Sequence, residues 1–237
     1  MGTGELMPIV QGGHQKLDLN LTISGNTSNY NIATVAAQNG YSAGSDDTPI
    51  FVTVNSGVEV TATMTNPALQ TGAINAASPL TVTVNGTVTG YTGATGGTGQ
   101  AGSAGGDAIH FNTSTPATGT YAVAVGSQGT VRSGGGGGGG GGTAGSRRRG
   151  IDDGKGVQCT MMGQARFGSN GSAGAQGGFG QAGASGSSGT VPSDPNGCGI
   201  LSPAGSGGAG GAAGFAVRKN SRTVTVTNQG TVQGQTA

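Results

Sequence analysis

The sequence predicts a mainly β protein that also contains polyglycine-II helices and has almost no α-helix. Two observations support this fold class: short stretches in which valine alternates with threonine, and 54 glycines among 237 residues, many of them three positions apart. Residues 1–78 are predicted to form a small N-terminal β domain. Residues 79–237 are predicted to form a glycine-rich polyglycine-II sandwich with a cap of β-strands.

The N-terminal part is poor in glycine and rich in threonine, asparagine, valine and isoleucine. Apolar and polar residues alternate over residues 17–23, which is the pattern of a half-buried strand. One or two helical turns are predicted within residues 30–38, where apolar side chains share one face. A loop is predicted over residues 42–49, before the next strand.

A degenerate repeat of strand, turn and strand follows. Each copy starts with valine at alternating positions, turns at glycine and ends in valine; the copies are Val52–Val58, Val82–Val88, Val123–Val131 and Val224–Val232. Because no copy can bury its valines alone, the copies are expected to lie together, stacked or side by side. The second and third copies lead into glycine segments, so the strands are interpreted as a hub from which glycine rods project.

The glycine-rich part contains ladders with glycine at every third position. A polyproline-II helix has three residues per turn and rises roughly 3.1 Å per residue, so a ladder leaves one face without side chains. The helix has no internal hydrogen bonds, and its buried N–H and C=O groups must be bonded to neighbouring rods. The structural glycines of the two long ladders are Gly90, Gly93, Gly96, Gly99, Gly102 and Gly105, and Gly168, Gly171, Gly174, Gly177, Gly180, Gly183, Gly186 and Gly189.

Collagen and a flexible linker are alternative interpretations of this composition. Collagen needs abundant proline, and neither long ladder contains any. A linker needs no periodicity. A third, shorter ladder also keeps the period over residues 205–214, and residues 134–142 are all glycine. The shared period therefore favours a packed bundle of rods.

The two cysteines, Cys159 and Cys198, are expected to be free thiols, because they fit neither a zinc motif nor a disulfide framework. The longer ladder could be a straight rod or a hairpin that turns near Gly177 and Gly178. In a hairpin the two cysteines would lie at the same end of the bundle and could form a disulfide.

Composition argues against several functions. A net charge of +1 with 8% charged residues indicates no binding of nucleic acid. No apolar run approaches the roughly 18 residues needed to span a bilayer, so no membrane insertion is expected. The Gly-x-Gly-x-x-Gly patterns lack the helix that a dinucleotide site requires, and neither histidine lies in a nucleophile motif. We therefore expect no enzyme, no cofactor and no metal site.

The strand and Asn-Gly-Thr-Val units that lead into glycine rods resemble, over residues 80–234, the receptor-recognising adhesins at the tips of long tail fibres in T-even-like phages. Segments 19–31, 52–58 and 67–72 are similar to a module of phage tail and tail-tip proteins. The resemblance implies a virion protein at a tail or fibre tip, assembled in the host cytoplasm. A non-adhesive structural component, such as a minor tail or decoration protein, is the alternative.

The same resemblance implies two partners. The N-terminal module, residues 1–78, would bind a phage tail or tail-fibre protein. Loops between the glycine rods would bind a bacterial outer-surface receptor, either a protein or lipopolysaccharide. These loops are predicted over residues 107–120, 146–167, 190–203 and 215–222.

Residues in these loops are the predicted receptor contacts. Three adjacent arginines could bind phosphate or carboxylate groups, and phenylalanines could stack on sugars. A solvated loop and packing over rod ends are the alternative interpretations. The predicted contacts are His110, Phe111, Arg147, Arg148, Arg149, Phe167, Ile200, Leu201 and Phe215.

Overall fold

The fold was analysed in a computed structural model, which describes residues 17–64, 66–112, 118–147, 150–152, 157–159, 166–193 and 200–237. Three parallel sheets of five strands each form a β-helix with three faces. Each turn of the chain, or rung, contributes one strand to each face.

The strands are numbered in chain order. The first rung contains β1 (Leu19–Ile23), β2 (Thr27–Ser28) and β3 (Tyr30–Asn31), followed by helix α1 (Ile32–Gln38). The second rung contains β4 (Ile50–Val54), β5 (Glu59–Thr61) and β6 (Leu69–Gln70), and the third β7 (Leu80–Val84), β8 (Thr87–Thr89) and β9 (Ile109–His110).

The fourth rung starts with β10 (Tyr121–Val125) and β11 (Thr130–Arg132). The chain then leaves the β-helix and forms β12 (Ser146–Arg147), β13 (Gly150–Asp152), β14 (Val157–Cys159), β15 (Arg166–Phe167) and β16 (Ile200–Ser202). It returns as β17 (Phe215–Arg218), which completes the fourth rung. The fifth rung contains β18 (Val224–Asn228), β19 (Thr231–Gln233) and β20 (Gln235–Thr236).

The core lies inside the β-helix, where apolar side chains of successive rungs are in register. On the first face the inward column is Leu21, Val52, Val82, Val123 and Val226. On the second face it is Val60, Val88, Val131 and Val232. Parallel strands pair about 4.8 Å apart, so each column is continuous. The predicted repeat copies do lie together, stacked one above the other.

The strand pairing differs by two residues, in two of the repeat copies, from the pairing expected when the copies are aligned by sequence. Val60, and not Val58, pairs with Val88, because the first copy turns over residues 55–58 and the second only over residues 85–86. In the fourth copy Val226, and not Val224, pairs with Val123. The turn between the first two faces therefore varies from two to four residues while the columns stay aligned.

Helix α1 confirms the predicted helical turns. Asn31 caps its N-terminus by accepting a hydrogen bond from the Thr34 N–H at 3.1 Å, and Ile32 and Ala36 are its buried residues. Helix α1 has seven residues and is the only α-helix among the residues that the structure describes. The prediction of a mainly β protein with almost no α-helix is therefore confirmed. Within that part, no helix has the length and apolarity needed to cross a membrane.

The sheets run across the predicted division between residues 78 and 79. Strands β4, β5 and β6 precede it, and each pairs with the following strand of its face, β7, β8 or β9. The division into an attachment module and a glycine-rich part stays a prediction about function.

The glycine-rich excursions leave the β-helix between the second and third faces, whereas helix α1 lies in a segment, residues 32–49, that joins the third face to the first. We call the connection between these two faces the corner of a rung. In the first and last rungs the corner is a single residue with positive φ, Asn29 at 52° and Gly234 at 119°. In the second, third and fourth rungs it is occupied by residues 62–68, 90–108 and 133–214. The glycine-rich segments therefore project from one corner of the β-helix.

The two longest excursions contain glycine-rich rods, which are bonded to one another through the backbone. In the described residues they are rod 1 (90–97), rod 2 (100–106), rod 3 (133–145), rod 4 (168–178), rod 5 (181–190) and rod 6 (203–214).

Rods 1 and 2 form one hairpin, and rods 4 and 5 form another. Both turn with the same sequence, Gly-Gly-x-Gly-Gln-Ala-Gly, at residues 96–102 and 177–183. The fourth residue of each is a glycine with positive φ, Gly99 at 69° and Gly180 at 73°, where a side chain would be strained. The longer ladder therefore folds back as a hairpin, whereas Cys198 lies outside the described residues.

Rod 3 is the centre of the bundle. Its N–H groups at every third residue from Gly134 donate to rod 2, and those at every third residue from Gly136 donate to rod 5. Its carbonyl groups accept from rods 1, 4 and 6. These hydrogen bonds are 2.7–3.0 Å long. One rod is thus bonded to all five others.

This central position explains why residues 134–142 are all glycine. A Cβ atom on any of them would lie 1.6–2.0 Å from a carbonyl oxygen of a neighbouring rod. Residues 134, 137 and 140 face rod 1, the next residue in each triplet faces rod 4, and the third faces rod 6. Outer rods have free sides and need glycine at fewer positions. Sequence analysis recognised the solid glycine but did not assign it to the centre.

Candidate functional site

A small antiparallel sheet lies at the end of the rods farthest from the β-helix. Strand β12 continues rod 3 and pairs on either side with β15, which precedes rod 4, and β16, which precedes rod 6. We call these three strands the distal sheet. The hairpin of β13 and β14 lies between β12 and β15 in the chain. The rods therefore present this sheet at a distance from the β-helix.

Four of the nine predicted contacts lie at this end among the residues that the structure describes. Phe167 and Arg147 lie on the distal sheet, as do the backbones of Ile200 and Leu201. Arg148 and Arg149 follow directly after β12 but lie outside the described residues. The Phe167 side chain is 73% exposed, and Arg147 is half-buried. An exposed aromatic ring on a sheet held by the rods is a surface that can bind a partner.

Side chains fasten the rods just below the distal sheet. Asn170 accepts a hydrogen bond from the Ala144 N–H at 2.8 Å, which ties rod 4 to rod 3. Thr190 accepts from the Ser169 N–H at 2.9 Å, which ties rod 5 to rod 4. The exposed residues beyond them are therefore carried on a fixed base.

The turn between rods 1 and 2 also reaches the distal end. Its Gly99 N–H donates to the Gly141 carbonyl at 2.9 Å, near the end of rod 3, and Thr98 is exposed there. Sequence analysis considered a hairpin for the longer ladder and did not predict the turn in this one. The available signal was the seven-residue sequence that both hairpin turns share.

The other three predicted contacts lie in the β-helix, and two of them belong to strands and not to the loops predicted at residues 107–120 and 215–222. His110 belongs to β9 and Phe215 to β17, the third-face strands to which the chain returns after each excursion. Phe111 is 0% exposed and packs edge-on against Tyr121, with ring centroids 5.9 Å apart. Its ring is part of the core and is not accessible to a receptor.

An ion pair joins these third-face strands. The Arg218 guanidinium donates to both oxygens of Asp107, at 2.5 and 3.1 Å, and the Phe215 N–H donates to the same carboxylate at 2.9 Å. Burial alone would raise the pKa of Asp107, but hydrogen bonds from His110, Arg218 and the Phe215 N–H outweigh it and lower the pKa to about 2. Asp107 is therefore ionised at neutral pH.

The turn between rods 4 and 5 points the other way, toward the β-helix. The Gly180 N–H donates to the Ser133 carbonyl at 3.3 Å, and the Arg132 guanidinium lies 4.2 Å from the centre of the Phe179 ring. Arg132 is held in turn by Thr89, to which its Nε donates at 3.1 Å. The bundle is therefore fixed to the β-helix by a hairpin turn as well as by the covalent chain.

The fold is that of a protein at the tip of a phage long tail fibre. The chain is similar to the crystal structure of the gp37–gp38 adhesin tip complex of the bacteriophage S16 long tail fibre, with a TM-score of 0.54 and 19% sequence identity. The similarity covers 93% of this chain and 82% of that one. No curated protein sequence matches this chain.

The family follows from the sequence itself. The model of the family described as phage tail fibre adhesin Gp38 matches residues 18–237, nearly the whole chain. The chain therefore belongs to the Gp38 family of phage tail fibre adhesins. The resemblance seen in its repeats and glycine rods is confirmed, and the protein is a component of the phage tail fibre.

Proposed function

We propose that this adhesin is the receptor-binding protein of the fibre tip and that its distal sheet, with the segments joined to it, binds a bacterial outer-surface molecule. One observation carries the proposal: six rods converge from a single corner of the β-helix on a sheet that exposes Phe167. Binding residues are typically found on loops that a rigid scaffold positions. Receptor binding, and no catalysis or cofactor, is the proposed role.

The rods are proposed to be polyglycine-II helices packed as a sandwich. Hydrogen bonds that recur every third residue on each neighbour support this conformation, since its period is three. Positive φ occurs, among the described ladder glycines, at Gly99 and Gly180 in the two turns. Backbone bonds of about 0.5–1.5 kcal/mol each then supply the cohesion that side chains supply elsewhere. The bundle serves as a rigid spacer.

Two classes of receptor suit the distal end. The exposed Phe167 ring could insert into an apolar recess of an outer-membrane protein or stack on a sugar. Arg147 and the two arginines after it suit phosphate or carboxylate groups of lipopolysaccharide, because guanidinium binds both with paired hydrogen bonds.

Attachment is proposed to involve the N-terminal module, residues 1–78, and a tail-fibre protein. The similar S16 protein was crystallised in a complex of gp37 and gp38, which supports a fibre-protein partner for this chain. The β-helix offers a rigid body from which the rods point away. We propose that the protein occupies the fibre tip of the virion after assembly in the host cytoplasm.

The test is adsorption of purified adhesin, and of phage carrying it, to permissive bacteria. We expect Phe167→Ala to reduce adsorption about tenfold or more, as for an aromatic residue at the centre of an interface. Phe179→Ala is the matched control, because Phe179 is 40% exposed and lies outside both the distal sheet and the N-terminal module. Its adsorption should equal that of the unmodified protein.

A non-adhesive structural role predicts the opposite result for adsorption. In that case substitutions throughout the distal sheet would leave adsorption and host range unchanged while the fibre still assembled. Equal adsorption of the Phe167 and Phe179 variants, with both proteins folded and attached to the fibre, would therefore contradict the proposal.

A further inference from the structure

A polar groove lies beside the third face of the β-helix, on the side from which rods 1 and 2 project. Its volume is about 470 Å³, within the range of roughly 300–1,000 Å³ that is typical of small-ligand sites. We call it the third-face groove; the residues that line it include Thr63, Met64, Gln70, His110, Arg218 and Asn220.

The floor of the groove is a column of outward-facing polar side chains. Gln70 of β6 pairs in register with His110 of β9, which pairs with Arg218 of β17. Their inward neighbours Leu69 and Ile109 are fully buried in the core. The parallel register therefore holds three different hydrogen-bonding groups in a row, about 4.8 Å apart.

The charges on this floor cancel. Asp107 is ionised and is bonded to Arg218, so that one negative and one positive charge form a closed pair. Because an ionised carboxylate only accepts, His110 must donate to Asp107 from Nδ1, which lies 3.3 Å away. His110 Nε2 then accepts from the Asn220 amide at 2.7 Å. The Asp107 carboxylate would repel an anion, and the Arg218 guanidinium would repel a cation.

Hydrogen-bonding capacity is left over at both ends of the column. The Gln70 amide has no hydrogen-bond partner among the residues that the structure describes, so it offers two donors and an acceptor. Asn220 uses its Nδ2 group on His110 and on the Phe111 carbonyl, which leaves Oδ1 as an acceptor. Met64, 73% exposed, adds an apolar patch to the rim.

We propose that the third-face groove binds a neutral saccharide, at a site separate from the distal sheet. Sugar hydroxyl groups donate and accept, as the free groups of Gln70 and Asn220 require, and they carry no charge. The C–H face of a pyranose ring suits Met64. The site requires no function of the distal end, and it would give the adhesin a second contact with a glycan-coated cell.

A peptide is a poorer match to the same groove. Peptides that join a sheet bind to an unpaired strand edge through their backbone. Strands β6, β9 and β17, which form the floor, are each paired on both sides within the third face. No such edge is open there, so recognition must come from side chains.

The experiment uses the complete protein and ligand-observed saturation-transfer NMR. The probes are the methyl glycosides of glucose, galactose and mannose, and N-acetylglucosamine, at millimolar concentration. We expect at least one of them to bind. Gln70→Ala should weaken that binding about fivefold, the effect of losing one hydrogen bond, and Gln70→Trp should abolish it by filling the groove.

Two controls separate this site from others. Gln233→Ala makes the same chemical change at an exposed position of β19, outside the groove, and should bind like the unmodified protein. Phe167→Ala should also keep binding, because it alters the distal sheet. Loss of binding in Phe167→Ala but not in Gln70→Trp, or no binding of any probe, would overturn the proposal. So would a Gln70→Trp protein that binds sugar normally but no longer attaches to the tail fibre.

Discussion

The β-helix and the rod bundle solve the same problem with opposite means. Both bury backbone N–H and C=O groups by pairing them with neighbouring segments. In the β-helix, each rung also buries large side chains, such as Ile50, Leu80 and Val82, at 0–1% exposure. In the bundle, residues 134–142 of rod 3 bury only backbone against backbone. Cohesion there comes from hydrogen bonds and close contact without a side-chain core.

The difference predicts opposite sensitivities to mutation. The β-helix should be damaged when a side chain is made smaller, because a cavity is left. The bundle should be damaged when a side chain is made larger, because no gap exists to receive a methyl group. Substitutions in each region test this contrast.

The largest effect is expected from Gly138→Ala in rod 3. The added Cβ would lie 2.0 Å from the Gly174 carbonyl oxygen, so the rods must separate and lose their hydrogen bonds. We expect the free energy of unfolding to fall by more than about 4 kcal/mol, with loss of the folded bundle. Chemical denaturation followed by circular dichroism measures it.

Gly178→Ala is the control for this substitution. The nearest atom to its Cβ is the Gln181 Oε1, at 3.6 Å, and the backbone φ is not positive. Its stability should change by less than about 0.5 kcal/mol. If both variants are equally stable, the bundle is not close-packed through backbone contacts.

Phe111→Ala is the converse change in the β-helix. Because Phe111 is fully buried, its truncation should destabilise the protein by about 3–5 kcal/mol. Urea unfolding measures this effect, and Phe51→Ala, which removes a partly exposed ring, should cost much less. A Phe111→Ala protein of normal stability that fails to bind bacteria would restore Phe111 as a receptor contact.

Asp107 makes the junction between the two regions sensitive to acid. Its pKa is lowered in the folded protein to about 2 from an ordinary 3.8, so the ionised form stabilises the fold at pH values above about 4. That stabilisation, about 2 kcal/mol, is lost as the pH falls from about 4 to 2.

The check is unfolding at several pH values for the protein and for Asp107→Asn. The difference in unfolding free energy between the two should be constant above pH of about 4 and should shrink below it. A difference that stays constant down to about pH 2 would show that Asp107 is not held ionised by Arg218 and His110.

The smallest effect is expected at the returning hairpin turn. Phe179→Ala removes the stacking of Arg132 on a ring that is 40% exposed, and should cost about 0.5–1 kcal/mol. Amide hydrogen exchange near Gly180 should become faster while exchange in the β-helix is unchanged. Phe167→Ala, at the opposite end of the bundle, should leave exchange at Gly180 as it was.

The sequence predicted local structure correctly where residue types recur at a fixed spacing. Alternation predicted the strands of the first and second faces, and period three predicted that the ladders pack closely. The β-helix was not predicted, because its third-face strands β6 and β9 have two residues each and show no pattern of their own. The long excursion over residues 133–214 further separates β11 from β17.

The site was predicted in part for similar reasons. The resemblance drew attention to the segments after rod 3 and before rods 4 and 6, and the structure brings them together in the distal sheet. Phe111 was misplaced because the glycine-free segment that follows the first ladder was taken as a loop. Its period-two relation to Ile109, also buried, was the signal that could have placed it in the core.

The position of rod 3 among its five neighbours also limits how such chains can change in length during evolution. In the proposed polyglycine-II conformation, one residue gained or lost in rod 4 would turn its bare face by about a third of a revolution and direct side chains into rod 3. Insertions and deletions should therefore be retained in steps of three residues, or nine nucleotides, and in rods 4 and 5 together. Relatives with longer or shorter rods would then differ by whole helical turns.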